Sequence, residues 1–291
     1  LYVPNSTAAF TKIGLENDVV ESYVVFTGNQ SGDHGGAVYA RNAIDIANTL
    51  FENNKNTSGY GGALYAGTVR MTMQDVIFRG NVAANVGGAV YMSGSNEDVL
   101  ELSGRNVTFE QNTATNGGAM YLSTGTRAYL KNATFTDNST TSAGGALYVK
   151  GTSLEMDGVT TTGNVAGSKA GVLYSTETST VMLNKMVATG NRAADGGVFY
   201  ITDTVTEIYA SCFAENVVTG SSAVMALYAG ADTKVYGSVF ENNESAKNAG
   251  AITAYSSEAP VLVQDCQFRN NTCHGYGGAI HVSGQTQMTL Y

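Results

Sequence analysis

Apolar residues recur along this chain in short alternating runs, broken at close intervals by Gly, Asn, Asp and Ser. One stretch reads VRMTMQDVIF, then RGNVAANVGG, then AVYMSG. Period-two alternation is the pattern of a half-buried strand, and the small polar clusters between runs are turn signals. No window carries apolar residues at the i, i+3, i+4, i+7 spacing of an amphipathic helix over three turns. The block itself repeats, most often every 26 residues. A unit of short strands cannot bury a face alone, but stacked units can. The pattern therefore predicts an all-β fold, a right-handed parallel β-helix (solenoid) of about ten coils of roughly 26 residues. Residues 1–291 read as one such domain, a segment of a longer chain.

Two signatures fix the period. The first is Gly-Gly-Ala, a large apolar residue, then Tyr, at residues 35–39, 61–65, 87–91, 117–121 and 144–148. It returns as Gly-Gly-Val-Phe-Tyr at 196–200 and Gly-Gly-Ala-Ile-His at 277–281, with degenerate copies at 170–174, 224–228 and 249–253. The second is Phe-x-x-Asn, from Phe26 and Asn29 through Phe268 and Asn271. Two coils keep only its Asn, with Thr161 and Ala188 in place of Phe. Coils stacked about 4.8 Å apart turn each repeated position into a column of like side chains. The Phe column is expected in the core, with weak points at Thr161 and Ala188. The Asn column is expected to chain amide to amide. The large apolar residue after Ala is expected to face inward, which turns the neighbouring Tyr outward. Tyr39, Tyr65, Tyr91, Tyr121, Tyr148, Tyr174, Tyr200 and Tyr228 then form an outer aromatic stripe, a surface for sugars or another protein.

The paired repeats resemble those of the chlamydial polymorphic outer membrane proteins, with GGA[ILV] and FxxN alternating in register along nearly the whole chain. They are also similar to segments of large β-helix surface proteins of eukaryotic microbes. The chlamydial resemblance implies autotransporter secretion, surface display and adhesion to host cells. It transfers fold well and activity poorly, because these residues read as structural. Residues 161–191 and 222–227 depart from the repeat.

Composition narrows the partners. Charged residues make up 13% and apolar residues 43%, which excludes a disordered chain. A net charge of −9 without any Lys/Arg cluster excludes nucleic acid as a partner. No apolar run reaches the ~18 residues of a membrane helix. The partners expected are other protein chains, through self-assembly or surface contacts, and glycans.

Chemistry is sparse. Parallel β-helices also carry carbohydrate-active enzymes, but those need paired carboxylates across a scissile bond, and Asp33, Asp137 and Asp195 fall in different coils. No Gly-x-Ser-x-Gly elbow is present. Glu16, Asp18, Glu97, Asp98 and Glu101 are isolated acids that read as solvated rather than calcium-binding. Cys266, Cys273, His274 and His281 read as ordinary repeat, not a zinc site. No cofactor, metal or catalytic residue is expected. Cys266 and Cys273, seven apart, could close a small disulfide loop. Eight Asn-x-Ser/Thr acceptors occur. Three of them, Asn29, Asn138 and Asn243, belong to the Asn column, which leaves Asn5, Asn56, Asn106, Asn132 and Asn270 as N-glycosylation candidates. The combined expectation is a non-enzymatic extracellular or cell-surface protein, structural or adhesive, whose rod builds an assembly or displays loops. The alternative is the passenger of a bacterial autotransporter adhesin.

Overall fold

The computed structural model describes residues 2–3, 11–13, 24–67, 70–94, 100–255 and 259–291. Among these the chain is strand and turn throughout, with no helix. Every strand pairing is parallel, and each joins one coil to the next. The molecule is a parallel β-helix. One wall collects eleven short strands, among them Leu64–Gly67, Val90–Ser93 and Met120–Leu122. A second collects ten two- to five-residue strands, including Val82–Ala83 and Ser139–Ala143. Those ten make nine parallel steps, close to the expected coil number. The remaining wall is bent along its length: Thr126–Lys131 and Thr134–Thr136 are its two arms in one coil.

Left-handed residues make the corners. The bend falls at Asp75, Asn106, Asn132, Lys185 and Asp265, with φ between 50° and 54°. A second corner falls one residue before each ladder Asn, at Asn53, Gln111, Asp137 and Asn242 among others. Asn and Asp tolerate this region better than other non-glycine residues. The third corner is the first glycine of Gly-Gly, with φ of 70° at Gly61. The second glycine answers a different need. A Cβ on Gly62 would lie 2.0 Å from the carbonyl oxygen of Gly88 in the next coil, so the backbones touch there.

Alternation sends one residue of each pair into a single core. Val38, Leu64, Val90, Met120, Leu147, Leu173, Phe199, Met225 and Ile252 are buried in one column. Phe rings stack from Phe26 to Phe135 with centroids 4.8–5.0 Å apart. They resume from Phe213 to Phe268 at 4.8–5.0 Å. Between them Thr161 and Ala188 hold the same register, both fully buried. The coil of Ala188 makes up volume elsewhere. Met186 and Phe199 are buried in it, and the Phe199 ring meets Phe213 edge-on at 5.5 Å.

The Asn ladder has no such gap. In each coil the side-chain oxygen accepts two bonds from the Asn one coil earlier, one from its backbone N–H and one from Nδ2. Asn112, for example, donates both to Asn138 Oδ1 at 3.0 and 2.9 Å, and its other Nδ2 proton goes to Phe78 O at 2.9 Å. The same set recurs at Asn164 and Asn191, where Phe is missing. Both donors and both lone pairs of these amides are used.

Candidate functional site

The outer face of the Gly-Gly wall is the most organised surface of the molecule. Tyr39, Tyr65, Tyr91, Tyr121, Tyr148, Tyr174 and Tyr200 pair in strand register, and Val38 and Ala40 on either side of Tyr39 enter the core. Their rings stack with centroids 4.6–5.7 Å apart. Ring faces are thereby turned onto one another. What reaches solvent is a row of ring edges and hydroxyls, which removes most of the flat surface on which a sugar could stack.

The ladder changes track at one coil. Tyr200 pairs with Ala226, not with Tyr228. Tyr228 lies two residues further on the same face, yet its ring stacks on Tyr200 at 4.7 Å and on Tyr255 at 5.3 Å. The copy of the repeat in this coil is therefore 222–226, Ser-Ala-Val-Met-Ala, rather than the expected 224–228, and residues 222 and 223 replace Gly-Gly. Ser222 keeps the left-handed φ, at 67°.

Residues just before Gly-Gly form a second row beside the tyrosines. His34 stacks on Tyr65 at 4.6 Å and on Tyr60 at 5.0 Å, and Tyr60 on Tyr91 at 4.9 Å. Further along, the Lys169 ammonium lies 4.4 Å from the Tyr200 ring centroid. The Tyr228 hydroxyl donates to Asp195 Oδ2 at 2.9 Å, and Asn248 Nδ2 donates to the Tyr255 hydroxyl at 3.3 Å. Two cavities meet at Tyr228, one of ≈ 530 Å³ between the two rows and one of ≈ 510 Å³ reaching Thr202 and Ala229, and they share Lys169, Tyr228 and Tyr255. Burial raises the pKa of the Asp195 carboxyl above the ordinary carboxylate value, against the opposing Tyr228 hydroxyl bond. Burial likewise pushes the Tyr148 phenol up to about 12, helped by Tyr174 and Glu177.

The comparisons with known proteins fit this geometry. The family model of the Chlamydia polymorphic membrane protein repeat matches residues 23–41, 75–93, 132–150 and 265–283. Segment 75–93 runs from the left-handed bend at Asp75, through the ladder Asn81, to the strand ending at Ser93. Four segments of the chain thus match the polymorphic membrane protein repeat. The chain is 37% identical over 117 residues to probable outer membrane protein pmp21 of Chlamydia pneumoniae, which is 34% of this chain and 7% of that protein. It is 37% identical over 115 residues to probable autotransporter YfaL of Escherichia coli (strain K12), 34% of this chain and 9% of that protein. The chain thus spans less than a tenth of the length of either relative. No solved structure matches it.

The remaining candidate residues of this repeat protein are dispersed. Asn56 is wholly buried in the second wall, with Nδ2 on Ser31 Oγ at 3.1 Å and on Asp33 O. No glycan fits there, which corrects that expectation. Asn106, Asn132 and Asn270 are exposed at left-handed corners. Asn5 lies outside the described residues, as do Glu16, Asp18, Glu97 and Asp98. Cys266 and Cys273 stand as free thiols in the structure. They sit on different walls across the Asn271 corner, and the Cys266 thiol donates to Gln264 O at 3.2 Å. Among the described residues no three His, Cys, Asp or Glu side chains gather as metal ligands. Tyr255 and Tyr60 escaped the sequence reading, and His34, which beside Asp33 reads as a solvated turn, joins the stack instead. Tyr255 stands two places off the expected column, and the row before Gly-Gly has no recurring residue type.

Proposed function

We propose that this chain is a segment of an extracellular passenger rod, displayed at a cell surface to make adhesive contacts, and not an enzyme. The observation that carries the proposal is the shared repeat and 37% identity to two proteins named as an autotransporter and an outer membrane protein. This brings forward the autotransporter passenger, which the residues alone placed second. The ladders support it physically: coils cross-bonded on every wall make a stiff spacer whose outer face is free to vary. An antibody raised against the folded segment tests the reading. It should label intact source cells, and protease added outside should remove the epitope. Labelling only after permeabilisation would contradict surface display.

A second reading, side-by-side assembly of rods, is favoured by exposed Met182 and Val205, at 43% and 45%, on the outer face of the bent wall. Electron microscopy of native surface material separates the two. Single projecting rods support display, and in-register bundles support assembly.

A further inference from the structure

One coil departs from the repeat on its outer wall. Ser222 and Ala223 stand for Gly-Gly, Ala226 stands for Tyr, and the ladder changes track there. Lys169 and Asp195 occupy successive positions of the row before Gly-Gly, joined by a parallel bridge. Lys169 and Asp195 both line the cavity beside Tyr228. Around Tyr228 this row carries an ammonium and a carboxylate, where the coils at Val86 and Ala143 carry apolar residues.

Of the side chains lining the cavity of ≈ 530 Å³, Asp195 keeps one carboxylate oxygen, Oδ1, without a hydrogen bond. Buried polar groups are nearly always paired, so this oxygen is an acceptor left open at the cavity wall. Ammonium groups stand on both sides. Lys169 lies on one rim at Tyr200, and Lys247 lines the cavity with Asn248 and Asp195. Both lysines lie within electrostatic reach of Asp195. In a chain of net charge −9 this is a locally cationic opening.

The groups present choose the ligand class. Stacked ring faces leave no slot for a flat aromatic guest. A cationic guest would meet Lys169 already seated on Tyr200. Hydroxyls, a carboxylate and an amide suit a polyhydroxylated ligand, and two ammoniums ask for a negative group on it. We infer that this groove binds a carboxylated sugar unit of a glycan, with its carboxylate between Lys169 and Lys247 and its hydroxyls on Asp195, Asn248 and Tyr228. The inference deepens the adhesive reading and rests on it, by naming what the rod would grip.

Sialyllactose and lactose are the probes, because they differ only by the carboxylated sugar. The folded chain, with its tyrosine rings isotope-labelled, is titrated with each by NMR. Sialyllactose should shift the Tyr228 and Tyr255 ring signals saturably, at least about tenfold more tightly than lactose. Tyr39 and Tyr65 should stay unmoved. The double variant K169Q/K247Q should lose about tenfold in affinity, and added salt should weaken the wild type. Because the double variant changes two groove-lining lysines, its circular dichroism should match the wild type; the wild-type titration decides even if it does not. No saturable shift, an equal response to lactose, shifts spread along the whole ladder, or unchanged affinity in a folded double variant would each overturn the inference. Antibody labelling of intact cells is independent of all four, so loss of the glycan site and loss of surface display are distinguishable.

Discussion

Two columns run side by side through this rod and meet the same two irregular coils differently. The Phe column stops at Phe135, passes through Thr161 and Ala188, and restarts at Phe213. The Asn ladder continues through Asn164 and Asn191 at 3.0–3.1 Å without interruption. The reason is physical. A hydrophobic column needs volume, and volume can come from another wall, as Met186 and Phe199 supply it in the coil of Ala188. An amide ladder needs particular donors and acceptors at particular points, and no neighbour can lend them.

The comparison can be broken most severely at Asn164. Asn164→Ala leaves Asn138 N–H, Asn138 Nδ2, Phe135 O and Asn191 Oδ1 each short of a bond in a buried place. At roughly 1–3 kcal/mol per orphan, the loss should be about 5 kcal/mol in denaturant unfolding. Phe109→Ala, in an intact stretch of the column, should cost about 3–4 kcal/mol by the same measurement. Ala188→Phe restores the motif residue yet should destabilise by about 1–3 kcal/mol, because Phe199 already holds the space. Adding Phe199→Leu should recover most of that, and a double-mutant cycle reads the coupling. Additive effects would show that the two sites do not share volume.

The smallest effect belongs to the outer ladder, which unlike the Phe column can titrate. Folded phenols such as Tyr148 keep their proton up to about pH 12, whereas unfolded ones lose it near 10. Between those values the native state holds more protons, so stability should fall as pH rises through the window. Thermal unfolding from pH 9 to 12 checks this. A flat profile would mean that the phenols are as free as in the unfolded chain.

Much of this architecture was legible in the sequence. Positions that repeat because stacking demands identity are visible by eye: Phe109, Asn112, Gly117 and Tyr121 announce their columns. Legibility failed where stacking is satisfied by non-identical residues. The coil at 222–226 has neither Gly-Gly nor Tyr, so its copy was placed two residues late. Asn56 carries an acceptor sequence, but the inward face of its short wall is set by register that sequence alone does not reveal. The groove beside Tyr228 draws on Lys169, Asp195 and the pair Lys247 and Asn248, from three different turns of the chain. A repeat reading treats each as noise, and only the stacked coils bring them together.

The central claim is that the amide ladder is continuous through the coils that lack Phe. Native-state hydrogen exchange of the side-chain Nδ2 protons tests it most directly. The account predicts protection at Asn164 and Asn191 equal to that at Asn81 and Asn112. Fast exchange confined to Asn164 and Asn191 would contradict it, and would show that the ladder depends on the aromatic column after all.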